Sequence, residues 1–139
     1  MQVRVKTNMK ILLTNRINLI GVFIAVLLCG IVHNCLIDDQ VSRNLFQAII
    51  AAFILVCLYG IIFWIGFLLA ILILDLILIV PDQKKLKLKL FAEWVIISTP
   101  IVYFSLICER QRLMFLIAII VFFITQLLRE RLIKKIGVE

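Results

Sequence analysis

The chain has 139 residues, of which 65% are hydrophobic and 17% are charged, and its formal net charge is +7. Its mean hydropathy is +1.21, and an average soluble protein is only about 45–50% apolar. The charged residues occur in short clusters between apolar runs, so they could not cover the surface of a soluble fold. This pattern excludes a soluble enzyme, a disordered tail and a secreted disulfide scaffold. The sequence predicts an all-α integral membrane protein.

Four apolar runs predict a single domain, residues 1–139, with four transmembrane helices. The runs cover residues 17–37, 44–80, 91–108 and 113–128. A bilayer core about 30 Å thick needs about 20 helical residues, and backbone groups in lipid must pair within the chain, which favours helices. The second run is over-long. Its outer half is expected to project beyond the bilayer or lie along its surface, unless the whole run is one steeply tilted helix.

The distribution of cations favours four spans over the five that a division near Gly60 would give. With four spans, one side of the membrane receives twelve cations: Arg4, Lys6, Lys10, Arg16, Lys84, Lys85, Lys87, Lys89, Arg129, Arg131, Lys134 and Lys135. The other side receives three, namely Arg43, Arg110 and Arg112. The positive-inside rule therefore predicts that both termini are cytoplasmic. The small size and the general organisation of the chain favour a bacterial cytoplasmic (inner) membrane.

One acidic residue, Asp75, is predicted inside the second span, and another, Glu93, is predicted early in the third helix. A charge at the bilayer centre costs about 2.5–3.5 kcal/mol on insertion scales, and less near the edge. Asp75 is therefore read either as a proton or cation site in an oligomer, or as one half of an ion pair with Arg16, Arg129 or a loop lysine. The ion pair is the favoured reading. Glu93 begins the third helix, where a carboxylate suits the positive helix end, and it is expected to be structural.

Polar residues and a proline occupy the middle of the third span. Pro100 removes a backbone donor and is expected to kink the helix. Thr99 and Tyr103 are four residues apart, share a helical face and are predicted to form a polar spot facing the bundle. The segment is either a hinge or pore-lining bend, or a packing feature.

Small residues recur at four-residue spacing in two spans: Gly21, Ala25 and Cys29 in the first, then Gly66 and Ala70 in the second. Such faces let helix backbones approach closely in lipid. They predict tight helix packing, either within one chain or between copies.

Cys35 and Cys108 are both predicted at the outer mouth of the bundle, where an oxidising periplasm would permit a disulfide. The alternative is that they are small apolar residues with free thiols. One histidine and scattered cysteines do not form a metal-ligand pattern, so no metal and no other cofactor is expected.

Cations alternate with leucines in the loop before the third span and recur in the tail. These residues are Lys84, Lys85, Lys87 and Lys89, followed by Arg129, Arg131, Lys134 and Lys135. They are expected to attract anionic headgroups at the cytoplasmic face, or to bind an acidic cytosolic protein. Nucleic acid is not expected, because aromatic stacking platforms are lacking among the lysines.

The sequence contains no phosphate loop, no dinucleotide turn and no nucleophile beside a base, so an enzyme is not expected. The favoured function is a non-enzymatic membrane subunit, which means an anchor, sensor or assembly factor that works as a homo-oligomer or within a larger complex. One alternative is an oligomeric ion channel or small permease that uses Asp75 and the Pro100 kink. Another is an immunity protein against a membrane-active toxin.

Overall fold

The computed structural model describes residues 2–36, 44–81 and 84–138, and the regular elements in these ranges are all helical. The α-helices are α1 (Gln2–Leu13), α2 (Asn15–Leu36), α3 (Leu45–Ile54), α4 (Ile61–Leu74), α5 (Leu86–Ile107) and α6 (Arg112–Val138). A first π-helical segment (Leu55–Tyr59) follows α3, and a second (Asp75–Ile79) follows α4. A 3₁₀ turn (Glu109–Gln111) precedes α6. The all-α class is confirmed.

Among the described residues, four helical stretches are long and apolar enough to cross a membrane. They are Asn8–Cys35, Ile61–Ile79, Leu86–Ile107 and Glu109–Ile136. Each overlaps one of the four predicted runs, so the predicted number agrees with the structure. The last stretch is longer than predicted because α6 continues past Leu128 to the tail.

The single over-long helix predicted over 44–80 is wrong, because the chain is divided at Gly60. Residues Leu45–Leu58 form a separate, shorter apolar helix. The Trp64 indole Nε1 donates to the Val56 carbonyl oxygen at 3.0 Å across the break. A Cβ at Gly60 would lie only 2.3 Å from that same oxygen. The missing side chain permits this close turn, so no polar turn residue is needed.

The main apolar core is shared by α2, α4, α5 and α6. Its buried residues are Val22, Phe67, Ile71, Ile97, Ile101, Ala118 and Phe122. In α5 and in α6 the two core residues are four positions apart, which is the spacing of one helix face. Because α6 packs against both α2 and α5, it is the central helix of the bundle.

The predicted small-residue contacts are only partly found within the chain. At Gly21 an added Cβ would lie 2.6 Å from Thr125 Cγ2, so α2 and α6 touch there. Ala25 and Cys29 are half-buried, and Ala70 packs against the main core. Gly66 is exposed with nothing within 4 Å of an added Cβ, so of the two predicted alternatives a contact within one chain is not found at Gly66, and a contact between copies stays a prediction.

A second apolar cluster brings together three distant parts of the chain. It consists of Ile11, Ile79, Leu86, Leu90 and Ile133. These residues belong to α1, the second π-helical segment, α5 and α6. The N-terminal helix, the lysine loop and the tail therefore meet at one end of the bundle. At this end Lys85 precedes α5 in the left-handed conformation, with φ 56° and ψ 36°.

Candidate functional site

Three charged side chains meet inside the bundle, and each is 0% exposed: Asp75, Glu93 and Arg129. The Arg129 Nη2 atom lies 2.5 Å from Asp75 Oδ2. The Arg129 Nη1 atom donates to Glu93 Oε2 at 3.3 Å and to Oε1 at 3.4 Å. One guanidinium on α6 therefore holds carboxylates from the second π-helical segment and from α5.

Uncharged side chains at the α1–α2 junction complete this charged cluster. Arg129 Nε donates to Thr14 Oγ1 at 2.8 Å, and the Asn15 amide donates to Asp75 Oδ2. Asn18 in turn donates to Asn15 Oδ1 at 3.4 Å. Thr14 belongs to the first candidate span, so the contacts of Arg129 connect all four candidate spans.

The helical periodicity explains why an arginine lies in the interior. On α6 the buried positions Ala118, Phe122, Thr125, Arg129 and Ile133 follow one another at intervals of three or four residues. Such positions form one stripe along a helix. Arg129 occupies this stripe, so its charge must be compensated from within the bundle.

The cluster leaves hydrogen-bonding capacity unused. One guanidinium faces two carboxyl groups, and Asp75 Oδ1 has no hydrogen-bond partner among the described residues. Asn18 Oδ1 is also unpartnered within that part of the chain. Buried polar atoms usually have partners. The cluster therefore retains buried oxygen atoms without a hydrogen-bond partner in this conformation.

The structure changes the reading of the acidic residues and of Arg129. Asp75 pairs with Arg129, one of the cations named from the sequence, whereas Arg16 is exposed. Glu93 is not merely at a helix end but buried against the same arginine. The assignment of Arg129 to a cytoplasmic docking surface is wrong, because its side chain points into the bundle.

Sequence reasoning missed the polar partners of the cluster, which are Thr14, Asn15, Asn18 and Gln126. A signal for them exists in the spacing. Asn15 and Asn18 are three residues apart on α2, and Gln126 and Arg129 are three apart on α6. Polar residues repeated at helical spacing near one end of a span indicate a buried polar layer.

The predicted polar spot facing the bundle is wrong. Thr99 and Pro100 are exposed, and Tyr103 is 63% exposed. The buried face of α5 at this level is formed by Ile97 and Ile101, which turns the 99–103 face outward. Thr99 Oγ1 donates to the Val95 carbonyl at 2.8 Å. Pro100 lies within α5, and the helix continues on both sides of it from Leu86 to Ile107.

The candidate disulfide is not formed, because Cys35 and Cys108 are free thiols. Cys35 is exposed near the end of α2, and Cys108 is half-buried where α5 ends. Helix α2 packs mainly on α6 and α3, whereas α5 packs mainly on α6. The two cysteines therefore belong to helices that are not principal neighbours. No group of three or more metal-ligating side chains occurs in the described ranges.

Six cations of the lysine loop and the tail are exposed at the end of the bundle that holds the second apolar cluster. They are Lys84, Lys85, Lys87, Arg131, Lys134 and Lys135, and we refer to them as the basic end. Lys89 is half-buried beside them. The Lys134 Nζ atom lies 2.6 Å from Glu130 Oε1.

An apolar groove and a smaller pocket open on the surface of the bundle. An apolar groove of about 630 Å³ runs along α4 and α5 and is bordered by Gly66, Ala70 and Pro100. A pocket of about 420 Å³ lies between α5 and α6, and both Lys87 and Gln126 line it. We call the second cavity the α5–α6 pocket.

No family model, no curated protein and no solved structure gives a significant match to this chain.

Proposed function

We propose that the protein is a non-enzymatic membrane subunit, which acts as an anchor, sensor or assembly factor in a homo-oligomer or a larger complex. In this proposal it spans a bacterial cytoplasmic membrane four times with both termini inside. Its basic end binds an acidic cytosolic protein. The observation that carries the proposal is the second apolar cluster, which gathers the lysine loop and the tail into one surface.

The charge of the basic end supports this proposal. The loop contributes Lys84, Lys85 and Lys87, and the tail contributes Arg131 and Lys135, all with exposed side chains. Cations gathered on one surface raise the rate of association with an acidic partner. They also attract anionic headgroups, so the same surface would hold a partner close to the membrane.

The buried cluster supports a structural role for the intramembrane charges. Asp75, Glu93 and Arg129 have no exposed surface, so a substrate in solution would not reach them in this conformation. Removing one member of a buried ion pair costs about 3–5 kcal/mol. A cluster that joins four spans therefore fixes the unit that carries the basic end.

The two alternatives have less support from the geometry. Asp75 is inside the bundle whereas Thr99 and Tyr103 are outside, so one pathway through a single chain would not be lined by all three. A channel would have to form between copies. An immunity protein would share the features of the proposed subunit, and a toxicity assay separates the two.

The test is the native mass of the protein after gentle extraction, with identification of co-purifying proteins. We expect a complex with a cytosolic protein that is lost in the double variant Arg131→Gln and Lys135→Gln. The matched control is Arg110→Gln with Arg112→Gln, which removes two cations at the opposite end of α5 and α6 and should keep the complex.

A homo-oligomer without a cytosolic partner would contradict docking through the basic end. Conductance in planar bilayers that changes with Asp75→Asn would favour the channel instead. Equal loss of the partner in both double variants would show that net charge, and not the basic end, controls association.

A further inference from the structure

The α5–α6 pocket has an apolar part and a cationic part. Its apolar lining includes Phe91, Trp94, Phe123 and Leu127. Lys85 and Lys87 line the pocket as well, and both side chains are exposed. The pocket therefore offers apolar surface together with two positive charges.

The cationic part and the apolar part of the pocket follow one another along the axes of α5 and α6. On α5, Lys87, Phe91 and Trp94 follow each other at intervals of four and three residues, so they share one face. On α6, Phe123 and Leu127 lead toward Glu130 with the same spacing. Lys87 and Trp94 are seven residues apart, which is about 10 Å along a helix. Charge thus lies at the basic end and apolar surface deeper along the bundle.

An acidic side chain in the pocket does not cancel the charge of the lysines. Glu130 lines the pocket, but its Oε1 atom lies 2.6 Å from Lys134 Nζ on the next turn of α6. Glu130 and Lys134 form an ion pair of their own. Lys85 and Lys87 therefore give the mouth of the pocket a net positive charge.

A buried amide lies behind the wall of the pocket. Gln126 is 3% exposed and belongs to the pocket lining. Its amide nitrogen and oxygen are both buried, and its side chain interacts with the Glu93 carboxyl group. Gln126 therefore belongs to the charged cluster, and the surface that the pocket offers to a ligand is apolar apart from its charged mouth.

We propose that the α5–α6 pocket binds one anionic glycerophospholipid. The phosphate pairs with Lys85 and Lys87, and an acyl chain packs against Phe91, Trp94, Phe123 and Leu127. A zwitterionic lipid fills the apolar part but carries a cationic group that the lysines repel. This site goes beyond the proposed function, because it does not depend on a protein partner.

Native mass spectrometry of the full chain in detergent tests the proposal, with phosphatidylglycerol and phosphatidylcholine as the probes. We expect one retained phosphatidylglycerol and much weaker retention of phosphatidylcholine. Lys85→Gln with Lys87→Gln should weaken phosphatidylglycerol binding by roughly fivefold for each cation removed. The matched control is Arg131→Gln with Lys135→Gln, which removes two exposed cations outside the pocket.

A second pair of variants tests the apolar part without changing any charge. Leu127→Trp places bulk in the pocket, whereas Leu128→Trp places the same bulk at a neighbouring exposed position that does not line it. We expect the first to abolish retention of phosphatidylglycerol and the second to preserve it. Equal retention in the two tryptophan variants would overturn the proposal. So would equal loss in the two glutamine pairs, which would reduce the binding to unspecific charge attraction.

Discussion

Arg129 Nη2 and Asp75 Oδ2 lie 2.5 Å apart with both side chains fully buried, although 54 residues separate them in the chain. The pair joins α6 to the second π-helical segment. Glu93 and Thr14 contact the same guanidinium. The stability of the four candidate spans is therefore expected to depend on this one side chain.

Replacing Arg129 is expected to cost about 3–5 kcal/mol in the free energy of unfolding, because two carboxyl groups lose their partner. Arg129→Leu, measured by denaturant titration in detergent micelles, should show this loss. Arg131→Leu is the matched control, since its side chain is exposed two residues away, and it should change the stability by less than about 0.5 kcal/mol. Equal effects of the two variants would contradict a structural role for Arg129.

The two acids are expected to differ. Asp75 makes the 2.5 Å contact and also accepts from Asn15, whereas Glu93 contacts Arg129 at 3.3–3.4 Å. Asp75→Asn should therefore destabilise the bundle by about 2–4 kcal/mol. Glu93→Gln removes the carboxylate that makes the longer contacts, and Asp75 still pairs with the guanidinium in this variant. The loss in the free energy of unfolding should therefore be less than half of that for Asp75→Asn. The free energies of unfolding of the two isosteric variants, measured under identical conditions, test this ranking. A larger loss of stability in Glu93→Gln than in Asp75→Asn would contradict it.

Adding one methyl group at Gly21 should destabilise the contact between α2 and α6. The new Cβ would lie 2.6 Å from Thr125 Cγ2, and overpacking of this kind costs about 1–3 kcal/mol. Gly66→Ala is the control, because nothing lies within 4 Å of its added Cβ.

A second substitution tests the cause of the loss at Gly21. Thr125→Ser removes the Cγ2 atom but keeps the hydroxyl, which donates to the Phe122 carbonyl at 2.9 Å. The double variant Gly21→Ala with Thr125→Ser should regain most of the lost stability. If it remains as unstable as Gly21→Ala alone, the clash with Thr125 is not the reason.

Lys85→Gly should stabilise the protein relative to Lys85→Ala. Both variants remove the charge, but only glycine adopts the left-handed conformation at φ 56° without steric cost. The expected difference is about 1 kcal/mol, measured by unfolding in detergent without added phospholipid. Equal stability of the two variants would mean that the chain relaxes from this conformation at little cost.

The number of spans and the helical class follow from the sequence because both depend on the length and hydrophobicity of whole segments. The interruption of the helix at Gly60 does not follow from the sequence, because it depends on how closely the Gly60 backbone approaches the Val56 carbonyl oxygen. The inward direction of Arg129 is also a property of the assembled bundle. A tail rich in cations favours a surface position by sequence alone, and only the buried stripe of α6 reveals the exception.

The outward location of Thr99 and Tyr103 could not be predicted from the sequence for a similar reason. Their spacing correctly places them on one face of α5, but spacing alone does not say which face the neighbouring helices cover. The apolar residues Ile97 and Ile101 occupy the covered face. In lipid an apolar residue can face either direction, so hydrophobicity separates inside from outside less sharply than in water.

The distance in sequence between Arg129 and its carboxylates also imposes an order on biosynthesis. In a chain inserted helix by helix, Asp75 and Glu93 emerge 54 and 36 residues before their partner. At about 5–20 residues per second, Asp75 waits roughly 3–11 s for the guanidinium. Only the final helix neutralises the two acids, so a nascent chain that stops short of it exposes unpaired carboxyl groups. Closure of the bundle therefore waits until α6 has been synthesised.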